Sequence, residues 1–266
     1  TTGASNTANG YQALHNNTGA SNTAVGFQAG LNNTTGVSNT SVGKSSLGTN
    51  VTGNSLTAIG SNALVSNTTS GNTAVGSNAA NSNTSGHIDA FGANAANNNT
   101  TGNYNSAFGQ QNGYLAALQS NTTGSSNAAF ATGALGYTTT GSSNTGIGVA
   151  ALYNNTTASN NTAVGYAASY TNTTGASNTS LGRRALYANS TGDDNTSVGY
   201  NALDANTTAS DNTAVGSNAL TTNTTGASNV AVGTQALNSN TTASSNTAVG
   251  YQAGYTNTTG QYNSAF

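Results

Sequence analysis

The sequence predicts an all-β protein, a β-solenoid or β-roll with about 17 residues per turn. Three observations lead to this prediction. The phrase Asn-Thr-Ala-Val-Gly recurs throughout the 266 residues. Its spacing is too short for a repeat built from a helix pair, which needs about 33 residues or more. The dominant residues, Gly, Asn, Thr and Ser, form helices poorly, and no apolar run follows the period of a helix.

The repeat is numbered here from its Thr, with the consensus T-A-V-G-x-x-A-L-x-x-N-T-T-G-x-S-N. Successive copies predict a single array of about sixteen turns over residues 1–266, with a five-residue insertion within residues 110–118. The chain opens and ends inside a repeat, so we expect it to be a segment of a longer protein.

Position 3 is almost always a large apolar residue. If the turns stack in register, these side chains form one inward row, and we predict them to be the core ladder. Position 8, mostly Leu, predicts a second and looser row. The predicted core ladder comprises Val25, Val42, Ile59, Val75, Phe91, Phe108, Phe130, Ile147, Val164, Leu181, Val198, Val215, Val232 and Val249.

Positions 2 and 4 hold only small residues, chiefly Ala and Gly. On a strand they point away from position 3, and a solvent-facing position would tolerate larger polar residues. The pattern therefore favours close packing against another copy of the coil around a shared axis, as in a trimer; a thin, tightly wound single coil is the alternative. Positions 5 and 6, which carry most of the charged and aromatic variation, are predicted to face solvent.

The composition excludes several classes of function. Only 3% of residues are charged and the formal net charge is −2, so nothing attracts nucleic acid or an anionic membrane surface. No apolar run approaches the ~18 residues of a membrane span. The chain has no Cys, which removes disulfides and thiolate metal sites. We expect no nucleic-acid partner, no membrane insertion in this segment and no cofactor.

Groups that could carry out catalysis are scarce. Asp193 and Asp194, with Asp211 one turn later, form the acidic cluster, and Arg183 and Arg184 share a turn with the first two. We predict a solvated cluster with weak ion pairing; a glycosidase pair or a Ca²⁺ site is the alternative. His15 and His87 are expected in loops, and a Ser–His–Asp triad is disfavoured. The sequence predicts no enzyme, no catalytic residue and no metal site.

The Asn-Thr-Thr phrase creates an N-glycosylation acceptor motif in nearly every turn. Two interpretations stay open: a bend in which Asn and Thr serve the backbone, or a row of glycosylated side chains. The candidate acceptors are Asn33, Asn50, Asn67, Asn83, Asn99, Asn121, Asn155, Asn172, Asn189, Asn206, Asn223, Asn240 and Asn257.

Two other surface roles match parts of the pattern, ice binding by the Thr pairs and sugar binding by exposed tyrosines. Regular Thr pairs are typical of ice-binding solenoids, but these pairs sit at a Gly-flanked bend. Tyr11, Tyr166, Tyr200 and Tyr251 are exposed candidates for stacking on sugars, although scattered aromatic residues often have no binding role.

The phrase Asn161-Thr162-Ala163-Val164-Gly165 resembles the turn motif of YadA-type trimeric autotransporter adhesin heads. The run Asn212–Gly216, followed by Ser217–Leu220 and Asn223–Gly226, is more similar to repeat arrays of bacterial and phage tail-fibre-type proteins. This resemblance covers essentially the whole chain and implies a trimeric fibre that projects from a surface.

We therefore expect a structural fibre or stalk segment located outside the cell, at the cell surface or on a virion. Its expected main partner is another copy of the same chain, in a homotrimer or a filament. The first alternative is an adhesin or tail-fibre head that binds a surface carbohydrate or receptor. The second is a self-polymerising, glycosylated filament.

Overall fold

The computed structural model describes residues 3–266, so the first two residues of the predicted array lie outside the described part. It confirms the all-β prediction: the chain forms a parallel β-solenoid with about 17 residues per turn. The chain divides into two compact units, Thr1–Thr140 (unit 1) and Gly141–Phe266 (unit 2), and each is described by itself. Within residues 3–266 no helix is long and apolar enough to cross a membrane.

Each turn contributes one short strand, and consecutive strands of a unit pair in parallel. The strands of unit 1 are β1 (Thr7–Asn9), β2 (Thr23–Val25), β3 (Thr40–Val42), β4 (Thr57–Ile59), β5 (Thr73–Val75), β6 (Ile88–Phe91), β7 (Asn105–Phe108) and β8 (Ala128–Phe130). Those of unit 2 are β9 (Thr145–Ile147), β10 (Thr162–Val164), β11 (Thr179–Leu181), β12 (Thr196–Val198), β13 (Thr213–Val215), β14 (Val230–Val232), β15 (Thr247–Val249) and β16 (Ser264–Ala265).

The insertion does not disturb this register. Ser106 of β7 still pairs with Ala128 of β8, and Phe108 pairs with Phe130. Residues 110–113 are exposed, whereas Leu118 returns to the interior with the other residues at position 8. The extra residues therefore leave the coil as a surface loop.

The chain turns at positions where the backbone adopts a positive φ. In one turn of unit 2 these residues are Gly216 (φ 137°), Asn218 (56°), Leu220 (49°) and Ser228 (56°). Gly, Asn and Ser tolerate this conformation, but Leu does so only at a cost in backbone strain. Leu220 is fully buried, so packing of its side chain offsets that strain.

The interior is narrow and is filled by positions 2, 7 and 8. In unit 2, Ala214, Ala219 and Leu220 have 0% exposure and pack with their counterparts in adjacent turns. The predicted row of Leu at position 8 is thus confirmed as part of the core. Stacking of turns brings these residues together, since one turn alone could enclose none of them.

The prediction that position 3 forms the core ladder is wrong. The side chains stack in register, as in the pair Val164 and Leu181, but they lie on the outer face of the sheet and none is buried. Because successive strand residues point to opposite faces, small residues at position 2 turn inward and the large ones turn outward. The corrected residues are Val25, Val42, Ile59, Val75, Phe91, Phe108, Phe130, Ile147, Val164, Leu181, Val198, Val215, Val232 and Val249.

The small residues at positions 2 and 4 are explained by packing within one coil and not by packing against a second copy. Position 2 fills the interior of the same coil, and the Gly at position 4 abuts the Gly of the next turn, as Gly216 does Gly233. This is the arrangement of the thin-coil alternative. Small residues at these positions therefore give no argument for a second copy, and the trimer remains a prediction.

Candidate functional site

The asparagines of the acceptor motifs lie inside the coil, where they form a first asparagine ladder at position 11. Asn206 is typical: its Nδ2 donates to Oδ1 of Asn189 (3.0 Å) and to the carbonyl of Ala209 (3.0 Å). Its Oδ1 accepts from Nδ2 of Asn223 at 3.1 Å. Each amide thus satisfies its neighbours in an interior that would otherwise penalise it.

This geometry argues against the second interpretation, a row of glycosylated asparagines, in the folded chain. The acceptors Asn33, Asn50, Asn67, Asn83, Asn99, Asn121, Asn155, Asn172, Asn189, Asn206, Asn223 and Asn240 are all buried. Asn257 is half-buried, and its Nδ2 donates to the carbonyl of Gly260 at 2.9 Å. A glycan on Nδ2 would force the amide out of the ladder. The interpretation in which Asn serves the backbone is the one that the geometry supports.

A second asparagine ladder lies at position 17, and sequence reasoning missed it. Oδ1 of Asn195 accepts the backbone N–H of Asn212 in the next turn (3.0 Å), and its Nδ2 donates to the carbonyl of Ala209 (2.9 Å). The same two bonds recur at Asn212 with Asn229 and Gly226. The signal was present, because a solvent-facing residue has no reason to be Asn in nearly every turn.

The Thr pairs do not present the surface that ice binding needs. The first Thr of each pair donates its hydroxyl to the backbone of the next turn: Oγ1 of Thr207 to the carbonyl of Thr224 (3.1 Å), and Oγ1 of Thr224 to that of Thr241 (3.0 Å). In most pairs the second Thr, such as Thr225, is the more exposed of the two. These hydroxyls contribute to turn stacking.

Unit 1 contains a surface depression of about 270 Å³ that is lined by Gly71, His87, Ile88, Asp89, Tyr104, Asn105 and Ser106. It lies where the length of the turns varies. The preceding turns are one residue short, as the pairing of Thr57 with Thr73 and of Thr73 with Asp89 shows. Asp89 replaces the usual Thr on its strand and is the only acid of unit 1.

The side chains around this depression combine aromatic and polar groups. The rings of His87 and Tyr104 stack with centroids 5.6 Å apart, and Asp89 is exposed beside Ser106, its partner across the two strands. No hydrogen bond joins Ser106, His87 and Asp89 in the described chain, although a triad needs such contacts. With one carboxylate, the site also lacks a glycosidase pair. The arrangement suits binding of a polar ligand.

In the acidic cluster of unit 2, the Asp193 side chain binds the backbone of the preceding turn. Oδ1 of Asp193 accepts the N–H of Ala176 (2.7 Å), and Asp194 and Asp211 are exposed at positive φ. No group of three or more His, Cys, Asp or Glu side chains within residues 3–266 is placed to hold a metal ion. The prediction of ion pairing within this turn is wrong for Arg184, which pairs with Asp204 of the next turn.

Arg184 makes a bidentate contact with Asp204, with Nε to Oδ1 at 3.0 Å and Nη2 to Oδ2 at 3.1 Å. Its guanidinium also lies 4.2 Å from the ring centre of Tyr187. The hydrogen bonds that Arg184 donates to Asp204 raise the pKa of Arg184 above its ordinary value, against the opposing effect of burial. Because the pKa of Arg184 is raised, the stability that its charge contributes is present at neutral pH and is lost as the pH rises through that raised pKa.

The neighbouring Arg183 is placed differently. Its guanidinium lies between the rings of Tyr166 and Tyr200, 5.9 and 5.5 Å from their centres, and Nη1 donates to Oη of Tyr200 at 3.2 Å. All three residues are exposed at position 5 of consecutive turns. Of the predicted sugar-stacking tyrosines, the structure brings Tyr166 and Tyr200 together around Arg183, whereas Tyr11 stacks on Phe27 in unit 1.

His15 has its Nδ1 within 2.8 Å of Oδ1 of Asn16 and does not line the depression at His87. Tyr251 is 73% exposed and lies three turns beyond Tyr200. Neither residue joins a cluster of chemical groups. A comparison of the chain with protein-family models finds no match, and a search among curated proteins finds none either.

Proposed function

We propose that this chain is a structural, non-catalytic segment of an extracellular fibre or stalk. The observation that carries the proposal is the pair of buried asparagine ladders. Both run between equivalent residues of successive turns, as from Asn206 to Asn223 and from Asn195 to Asn212. Each turn therefore offers the next one the same acceptors and donors, and a coil of this kind extends by repetition. Adding repeats of such a sequence therefore lengthens the coil.

Two further features support the proposal. The resemblance to tail-fibre-type arrays and YadA-type heads concerns proteins that project from a cell or virion surface. The outer row at position 3 leaves large apolar side chains half exposed, for example Ile147 at 42% and Val249 at 41%. An exposed row of this kind favours self-association, and we extend the proposal to a homotrimer or filament.

Single-molecule pulling tests the structural role. With handles at the two ends, a stacked coil should lengthen in steps of one turn, about 60 Å for 17 residues of extended chain. Asn206→Ala removes three buried hydrogen bonds, so we expect a lower force for the steps around that turn. Thr225→Ala, at an exposed position of the motif one turn later, should leave the force unchanged. Smooth extension without steps would contradict a mechanical role.

Sedimentation equilibrium tests the oligomeric part separately. We expect a species of three chain masses, or larger assemblies, that dissociates when Val198 and Val215 of the outer row are changed to Glu. A wild-type chain that stays monomeric at high concentration would exclude the homotrimer while leaving the single-chain stalk intact.

A second candidate function is carbohydrate binding by an adhesin or fibre head, and the depression at Asp89 is the observation that favours it. A carboxylate beside stacked aromatic rings can accept hydrogen bonds from sugar hydroxyls. On a glycan array, Asp89→Asn should lower binding about tenfold, whereas Asp211→Asn, an equal change at an exposed acid of unit 2, should not. Equal effects of the two variants would exclude this site. The glycosylated-filament alternative loses its support because its acceptor asparagines are buried.

A further inference from the structure

Unit 2 carries an exposed row of hydrogen-bond donors built from Tyr166, Arg183 and Tyr200, which we call the Tyr–Arg–Tyr row. We propose that this row binds the carboxylate or sulfate groups of an acidic polysaccharide. The inference does not depend on the fibre role, because it rests on the side chains of three consecutive turns.

The first step in the argument concerns charge. The contact between Arg184 and Asp204 is the only salt bridge within residues 3–266. Arg183, one residue away, therefore carries a positive charge that no carboxylate of the described chain neutralises. A guanidinium has five N–H donors in a planar fork that matches a carboxylate or a sulfate. Within residues 3–266 only one of its donor groups, Nη1, has a partner, the hydroxyl of Tyr200.

The second step concerns orientation. The guanidinium carbon lies over the rings of both Tyr166 and Tyr200, at 5.9 and 5.5 Å from their centres, so the charged group is held between two aromatic side chains. This contact also restricts the side chain, which lowers the entropy lost on binding. Since the Tyr200 hydroxyl accepts from Arg183, its own proton is free to be donated outward. Tyr166 and Tyr200 are 48% and 46% exposed, so both remain accessible.

The third step concerns the length of the ligand. Turns of a parallel coil lie about 4.8 Å apart, so the row extends roughly 10 Å along the stacking direction. This is the length of a disaccharide rather than of a single anion. Aromatic edges with hydroxyl groups suit sugars, which present both C–H and O–H groups. The chain's net charge of −2 disfavours nucleic acid, which requires many cationic contacts.

The experiment uses the full chain immobilised on a biosensor, with three polysaccharides as probes: polygalacturonate (carboxylate), dextran sulfate (sulfate) and uncharged dextran. We expect binding to one or both acidic polymers and none to dextran. The polymer that binds identifies the anionic group. Arg183→Gln should weaken binding at least about tenfold. Arg183→Lys should restore only part of it, because an ammonium keeps the charge but lacks the fork.

Lys44→Gln is the matched control. Lys44 is exposed at the same position of its own turn in unit 1 and changes the net charge equally, but no tyrosine pair flanks it. We expect less than about a twofold effect from this variant. Tyr200→Phe, which keeps the ring and removes only the hydroxyl, should weaken binding about threefold.

Three results would overturn the proposal: no binding of the wild-type chain to either acidic polymer, equal binding to uncharged dextran, or equal losses for Arg183→Gln and Lys44→Gln. The last result would indicate a general charge effect in place of a site. Far-UV circular dichroism and a thermal melt of each variant show whether a loss of binding reflects a loss of fold.

Discussion

At the residue scale, the glycine at position 4 meets two separate demands. Gly216 has a φ of 137°, and a Cβ there would lie 2.5 Å from the carbonyl oxygen of Gly233. Gly216→Ala should therefore destabilise the chain by at least about 2 kcal/mol, measured by denaturant unfolding. Gly71 is the control: its φ is 78°, but a Cβ would meet nothing within 4 Å. Gly71→Ala should cost about 1 kcal/mol. Equal costs would mean that backbone conformation alone explains the glycine.

Ala131 is the one residue at position 4 that is not Gly, and it shows the cost of placing a Cβ at this position. It holds a φ of 116°, which is strained for a residue with a Cβ. Ala131→Gly should stabilise the chain by about 1 kcal/mol after allowance for the greater freedom of glycine when unfolded. The same change at Ala129, which is buried in the strand of that turn, should destabilise it by about 1 kcal/mol. A loss of stability for Ala131→Gly would contradict the strain argument.

At the element scale, the first asparagine ladder contains one irregular member that makes its contribution measurable. Nδ2 of Asn121 donates to Oδ1 of Asn99 and to the carbonyl of Gly124, at 2.6 and 2.9 Å. Its own Oδ1 is buried without a partner, because Thr138 takes the position of the next Asn and has no amide. Thr138→Asn should supply the donor and stabilise the chain by about 1 kcal/mol.

Thermal or denaturant unfolding checks this prediction. Thr225→Asn is the control, since it makes the same change at an exposed position and should stay within about 0.5 kcal/mol of the wild type. A Thr138→Asn variant no more stable than the wild type would mean that the amide cannot enter the ladder at this turn.

The sequence predicted the turn and its stacking but not which side of the strand faces inward. A fixed period determines which residues pair, so the register of Val164 with Leu181 follows from spacing alone. Alternation leaves two faces, and side-chain size suggested the wrong one. The inward strand position is filled by small residues such as Ala214, because Leu at position 8 already occupies much of the interior. The buried asparagines were misread for a related reason: each looks costly alone and is satisfied only by its copy in the next turn.

The candidate sites were harder to predict than the fold. The spacing of Tyr166, Arg183 and Tyr200 places them in one column, and the sequence already assigned that column to solvent. The contact of Arg184 with Asp204 was not predicted. It joins position 6 to position 9 of the following turn, and it depends on the backbone conformation of the bend between these positions. The depression at Asp89 depends on one-residue differences in turn length, whose effect on shape is not visible in a consensus.

At the scale of the whole molecule, the chain should behave as a stack in which each turn depends mainly on its two neighbours. Deletion of residues 213–229 removes one complete turn of unit 2 and joins Asn212 to Val230. Positions 17 and 1 then still follow each other, and Oδ1 of Asn212 can accept the N–H of Asn246 as it now accepts that of Asn229. We expect an unchanged circular dichroism spectrum per residue and a melting temperature within about 5 °C of the wild type.

Deletion of residues 213–221 is the matched comparison, because it removes fewer residues but leaves a turn of only eight. Eight residues are too few to form a complete turn. Leu203 and Leu237 would lose Leu220, which packs between them, and both asparagine ladders would be interrupted. We expect this shorter deletion to lower the melting temperature far more than the longer one. Stability that fell in proportion to the number of deleted residues would show that register is not what holds the turns together, and the repeat would then need an explanation other than stacking.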